Sequence, residues 1–272
     1  MVQGCRMAKF PKKFSDRVAS KLKQYQSIAT LQRTRDVSEA DTVTVVKDIL
    51  ADVFGYDKYS ELTSEHQIKG TFCDLAIRLE GKVRFLVEVK SAGVDLKDAH
   101  IAQALNYGAN LGIEWVVLTN AIDWRIYRVV FGKPVAHEEV TAFVFTNING
   151  NKEDDLDALF ILAREGLAVD AISDFHQRVM LLNRFTIAQI LRGDAVVSTI
   201  RRELKRLFPE LKVDAESIQQ IVENEVLKRE VFEGERSKDA MLRVKKAQQK
   251  IARAAAKNSM PSEDLDLKAE IG

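Results

Sequence analysis

Apolar and polar positions change their period several times along the chain. Between residues 38 and 55, Val43, Val46, Leu50, Val53 and Phe54 recur at helical spacing. Ser38 stands where an N-cap would, Asp41 follows three positions later, and Gly55 is placed to end the helix. From residue 72 the period becomes two. Residues 72–79 and 83–90 alternate on either side of Glu80-Gly81-Lys82, the pattern of a β-hairpin. Residues 99–110 return to helix. Residues 114–119 and 124–131 are again strand-like, with a turn over 120–123. A helix followed by β, β, α, β, β predicts an α/β fold, a mixed sheet flanked by helices.

The flanks read differently. Residues 1–35 are basic and mostly helical in pattern. From about residue 151 the pattern is helical throughout, over 153–165, 169–192, 195–207, 214–231 and 236–258, punctuated by Gly193-Asp194 and Pro209. Four segments are expected: a basic helical extension (1–35), the α/β domain (36–150), a helical C-terminal domain (151–258) and a flexible acidic tail (259–272).

Side-chain alternation in the hairpin puts Val83, Phe85, Val87 and Val89 on one face and Arg84, Leu86, Glu88 and Lys90 on the other. In the preceding strand Cys73, Leu75, Ile77 and Leu79 share a face, opposite Phe72, Asp74, Ala76 and Arg78. A two-residue loop would set Asp74 against Val87. A three-residue loop pairs Ile77 with Phe85, Leu75 with Val87 and Asp74 with Glu88, and only that register keeps the apolar stripes together. Asp74 and Glu88 are therefore expected opposite one another, with Lys90 two residues further along the same face.

Facing carboxylates repel, and a divalent cation between them reverses the sign. Hard oxygen ligands suit Mg²⁺ or Mn²⁺, and an adjacent ammonium could orient a metal-bound water or stabilise charge on a phosphate. A solvated hairpin face would carry the same residue types. In the following helix Ile101, Ala104, Leu105 and Gly108 form the apolar stripe, while Gln103 and Tyr107 fall together at i and i+4 on the other side. Both could touch a phosphate or base.

Asp74…Glu88-Val89-Lys90, then Gln103-x-x-x-Tyr107, then Leu118-Thr119-Asn120-x-x-x-Trp124-x-x-Tyr127 resembles the N-terminal nuclease domain of type I restriction enzyme R subunits. That domain belongs to the PD-(D/E)XK superfamily, and the resemblance covers roughly residues 36–131. It implies a restriction-endonuclease-like fold and a metal-dependent nuclease acting on DNA (or RNA), in a restriction or phage-defence setting with partner proteins. It implies that Asp74 and Glu88 bind the metal, that Lys90 assists catalysis, and that Gln103 and Tyr107 position the nucleic acid. It also implies an acidic metal ligand in the helix before the hairpin. Glu39 is the match, although a first-turn acid is equally favoured by the helix dipole. Cys73 stands where the motif name has proline, and no GxxxxGK[ST] loop for the family's motor is present. The rival expectation is an inactive nucleic-acid-binding or assembly module on the same fold.

Composition narrows the setting. No run of 18 apolar residues occurs, so no membrane helix is expected. The basic start lacks the apolar core of a secretory signal, and two cysteines without CxxC fit a reducing, cytoplasmic compartment. His66, His100, His137 and His176 have no zinc spacing. Trp115 and Trp124 read as core aromatics. The formal net charge is +1, yet residues 1–35 carry nine basic residues against one acid and residues 235–258 carry eight against two. The middle is therefore net acidic, and a near-zero total does not exclude a nucleic-acid partner. The basic helix at 236–258 reads as a solvated terminal helix, an arm of a homo-oligomer contact, or a phosphate-gripping helix.

Overall fold

The structure, a computed structural model, describes residues 10–68, 71–132 and 134–258. The side chains of residues 65–68, 71, 72 and 254–258 fall outside that description, as do the first nine residues of the basic segment and the expected acidic tail at 259–272. The chain forms two compact units, Met1–Val179 and Met180–Gly272.

Unit 1 opens with two helices, α1 (Lys12–Thr34) and α2 (Glu39–Asp52). Three strands follow, β1 (Leu62–Ile68), β2 (Thr71–Leu79) and β3 (Lys82–Val89), then helix α3 (Ala102–Leu111). Strands β4 (Trp115–Thr119), β5 (Asp123–Val130) and β6 (Ala136–Val144) complete a sheet of order β1-β2-β3-β4-β5-β6. Only β3 and β4 pair in parallel, and α3 makes the crossover between them. Helices α4 (Glu153–Phe160), α5 (Arg164–Ala168) and α6 (Ala171–Leu181) close the unit. The α/β expectation of a mixed sheet flanked by helices is met. Strands β1 and β6 were not legible in the sequence. They lie at the two sheet edges, where β6 has few buried positions and the apolar alternation is sparse.

The sheet is buried on both faces. One face carries Leu75, Ile77, Phe85, Val87, Trp115, Val117 and Trp124 against α1, α2 and the α4–α6 segment. The other carries Ala76, Leu86, Val116, Leu118 and Tyr127 against Ala104, Leu105 and Tyr107 of α3. Trp115 and Trp124 are both core, as expected.

Helix α1 is no appendage. Phe14, Val18, Leu22, Tyr25 and Ala29 are buried. The rings of Phe10, Phe14 and Phe160 meet at centroid distances of 5.2–5.6 Å. Arg17 donates to the carbonyls of Val53 and Phe54 at the end of α2, and to Glu165 at 2.8 and 2.6 Å. Gly55, φ +88°, follows that helix end, where a Cβ would collide with the Arg17 guanidinium. The breaks expected at 35 and 150 therefore fall inside unit 1, and the break between units falls after Val179.

Register and turn part company in the hairpin. Leu75 faces Val87 and Ile77 faces Phe85, as the apolar stripes require. The turn itself has two residues, not three. Arg78 faces Val83 and Leu79 faces Lys82, while Glu80 (φ 53°) and Gly81 (φ 77°) are both left-handed, as a type I′ turn demands. A bulge with Arg84 as the extra residue restores the register. It also inverts the faces on the turn side. Val83 joins the α3-side cluster, and Arg84 reaches Asp170 at 3.4 Å among the helices of the opposite side. Cys73 likewise departs from Leu75 and lies with Ala76, Leu86 and Tyr107.

Unit 2 contains α7 (Arg184–Leu191), α8 (Asp194–Leu207), α9 (Ala215–Ile221) and α10 (Glu235–Asn258). Asn183 caps α7 by accepting from Thr186 N–H at 3.0 Å, which breaks the helix expected over 169–192. Similarly, 214–231 is α-helical only to Ile221; it continues as a π-helical stretch over Val222–Val226 and, after a break, a 3-10 turn over Arg229–Val231. Val197, Ile218 and Val222 form a small core. Among the described residues no helix is long and apolar enough to cross a membrane.

Candidate active site

The site forms where β2 and β3 part. Their last ladder pair is Leu75 with Val87. Beyond it the Asp74 side chain takes over a ladder donor, Oδ2 accepting from Val89 N–H at 2.7 Å. Cys73 Sγ fills the same gap by donating to the Val87 carbonyl at 3.3 Å. Asp74 is thus fixed at the junction of the strands and is not one half of a flat cross-strand pair.

Glu88 follows Val87 on β3 and is 6% exposed. Lys90, just past the strand, donates from Nζ to Glu88 Oε1 at 2.9 Å and lies 3.4 Å from Glu39 Oε2. Glu39 is the first residue of α2, whose N-cap is Ser38 as expected: Ser38 Oγ accepts from Asp41 N–H. One ammonium therefore bridges a buried carboxylate of the sheet and a half-exposed carboxylate of a helix N-terminus.

The electrostatics follow from that crowding. Burial pushes the Glu88 carboxyl above the usual range; the Lys90 hydrogen bond opposes this, while the charges of Asp74 and Glu39 add to it. For Lys90, burial alone would lower the ammonium, but the hydrogen bond to Glu88 and the charges of Glu88, Glu39 and Asp74 raise it. Lys90 is held as a cation and has no capacity to act as a base near neutrality.

The α3 side divides Gln103 from Tyr107. Gln103 is exposed, whereas Tyr107 is 2% exposed and belongs to the apolar cluster with Cys73, Ala76 and Leu86. The expectation that they share a polar face is corrected: helical rotation carries Tyr107 onto the stripe of Ala104 and Gly108. Burial, then the nearby Cys73, pushes its hydroxyl pKa up.

Two buried polar residues support the segment after Lys90. Asn120 donates from Nδ2 to the Val94 carbonyl at 2.9 Å, and its Oδ1 accepts from Ile122 and Asp123 N–H. Thr42 of α2 accepts from Ala92 N–H at 3.1 Å. Lys90 N–H donates to the Thr119 carbonyl at 2.8 Å. Thr42 was missed in the sequence, although a threonine four residues before Val46 on an apolar helix face is a legible signal.

Two carboxylates, one of them buried and raised, are a donor set that suits Mg²⁺ or Mn²⁺, which takes one or two carboxylates and completes its shell with water. Among the described residues no group of three or more His, Cys, Asp or Glu is arranged around one point to hold a metal. Glu39 and Glu88 both end on Lys90, Glu88 the more closely, while Asp74 accepts from Val89 N–H.

Residues 44–142 match the family model of the type I restriction enzyme R protein N terminus. The resemblance read from the sequence is found there. The matched segment runs from within α2 into β6 and includes Asp74, Glu88, Lys90, Gln103, Tyr107 and the Thr119-Asn120 turn; Glu39 and Thr42 lie before it. No curated protein and no solved structure matches the chain.

Proposed function

We propose that unit 1 is a restriction-endonuclease-like nuclease that hydrolyses phosphodiester bonds, with DNA as substrate and Mg²⁺ or Mn²⁺ as cofactor. The observation that carries this is the Lys90 ammonium on the buried Glu88 carboxylate beside Asp74, within the segment matching a restriction-enzyme family. Asp74 and Glu88 would hold the cation, which when bound supplies a water of lowered pKa and relieves negative charge on the phosphate.

The protein's own groups have distinct tasks. The Val89 N–H fixes Asp74. Burial holds Glu88 in place and makes its lone charge costly, which favours cation binding. Lys90 remains protonated, so its part is to orient a nucleophile by donating a hydrogen bond, or to stabilise charge on the phosphate. Glu39 anchors the ammonium, and Thr42 and Asn120 hold the chain that follows it. Gln103, exposed on α3, would touch nucleic acid, while Tyr107 lies buried in the core.

Lys90→Ala and Glu88→Gln are each expected to lower Mg²⁺-dependent cleavage of plasmid DNA by about 10²-fold or more. Full cleavage by both variants would overturn the proposal. One observation favours a second reading. The Glu88–Lys90–Glu39 bridge already satisfies these charges without a cation, as an inactive nucleic-acid-binding module would require. Calorimetric titration of the folded protein with Mg²⁺ and Mn²⁺ separates the two, since the module predicts no binding at millimolar cation.

A further inference from the structure

Unit 2 carries a charge pattern that the nuclease site does not use. From residue 240 to residue 258 the sequence contains six cations, Arg243, Lys245, Lys246, Lys250, Arg253 and Lys257, and no acid. All lie on α10. The first part of that helix is held in the unit, with Ser237 and Ala240 buried and Arg243 donating to the Met180 carbonyl. Its second part is exposed along residues 245–253.

Elsewhere in the unit some cations are paired with acids, while Arg202, Lys205, Lys212, Lys228 and Arg236 are more scattered along the sequence. Arg184 pairs with Glu230, Arg192 with Glu223, Arg206 with Glu203 and Arg229 with Glu233, all at 2.8–2.9 Å. Among the described residues, Lys245, Lys246, Lys250 and Arg253 pair with no acid. Lys246, Lys250 and Arg253 follow one another at i+4 and i+3, so they form one stripe. Like charges at these spacings destabilise a helix. The helix dipole offsets that only in the last turn.

We propose that the outer half of α10 is a binding surface for the phosphate backbone of nucleic acid. From Lys246 to Arg253 the stripe spans about 10 Å at 1.5 Å per residue. That is about the axial length of three phosphates on one strand of duplex DNA. The contacts involve backbone charge only, so binding is independent of sequence. Two other occupants fit less well. An anionic membrane needs a bulky apolar face, and residues 245–253 offer only Ile251 as a large apolar group. A second copy of the same helix would bring like charges together.

The test is fluorescence anisotropy of the full-length protein with a duplex of about 30 base pairs, without divalent cation, across a salt series. The expected result is that Lys246→Gln, Lys250→Gln and Arg253→Gln combined weaken binding at least tenfold. The slope of log K against log salt should fall by about 2–3, at about 0.9 for each lost phosphate contact. Lys246→Arg with Lys250→Arg keeps both affinity and slope. Unchanged affinity and slope in the triple-Gln variant overturn the proposal. So does wild-type protein that binds phosphatidylglycerol vesicles but no duplex, or an oligomer dissociated by the triple substitution with duplex binding intact. Helicity by circular dichroism confirms that the variants are folded, and the Arg pair gives an independent reading if the triple-Gln helix is weakened. This inference does not depend on catalysis. Wild-type protein that binds through α10 but never cleaves sinks the nuclease reading alone.

Discussion

Glu88 and Lys90 are two residues apart at the end of β3, and each is costly by itself. An ionised carboxylate buried at the end of β3 is disfavoured, and the Lys90 ammonium offsets only part of that cost. The raised Glu88 pKa gives a definite sign. Ionisation of Glu88 costs stability above the unfolded-chain value near 4.5, and the cost is complete above the raised folded value. Glu88→Gln is therefore expected to raise Tm by a few degrees at pH 7, with the gain fading as pH falls through that window, while cleavage is lost. A lower Tm for Glu88→Gln at pH 7, measured by calorimetry, would count against the site as described. Alternation legibly assigned Asp74, Glu88 and Lys90 to one neighbourhood. It could not show that Asp74 leaves the ladder to accept from Val89, because that depends on how far β2 and β3 splay. Nor could i, i+4 spacing tell that Tyr107 turns inward while Gln103 stays out.

At the level of elements, α2 and β3 hold the site, and α2 is itself held at both ends. Its start is capped by Ser38, and its end is closed by Gly55 and clamped by Arg17 with Glu165. Burial raises the Glu165 carboxyl, but the Arg17 hydrogen bonds, a backbone amide and the Arg17 and Lys13 charges more than offset it, and the net value is lowered. A lowered acid contributes stability above its unfolded value near 4.5 and loses it as pH falls through the folded value. Glu165→Gln should cost about 1–3 kcal/mol at pH 7 by urea unfolding, and the difference from wild type should shrink below about pH 4.5. A constant difference from pH 7 down to acid unfolding would contradict the clamp. The cap and the glycine stop of α2 were readable, since both are local. The bulge at Arg84 was not. The same apolar stripes fit a three-residue loop or a type I′ turn with a bulge, and only backbone twist chooses between them.

Across the whole molecule, the basic N-terminal segment is part of the first unit's core. Its charges suggested an extension, but its buried stripe of Phe14, Val18, Leu22 and Tyr25 lies under the sheet with Phe160. Phe14→Ala should destabilise unit 1 by about 3–5 kcal/mol in denaturant unfolding. A near-neutral effect would restore the extension. What the sequence by itself determined was local or periodic: the hairpin and the register of its apolar stripes, the capped helix ahead of it, the crossover helix and the common neighbourhood of Asp74, Glu88 and Lys90. These depend on spacing along one segment, and spacing is written in the chain. The tertiary structure decided what depends on partners distant in sequence: the edge strands β1 and β6, the face that Val83 and Cys73 occupy, the inward turn of Tyr107, and the burial of α1. Burial is a property of what packs over a residue, and in this chain the covering residues lie as far apart as Phe14 and Phe160.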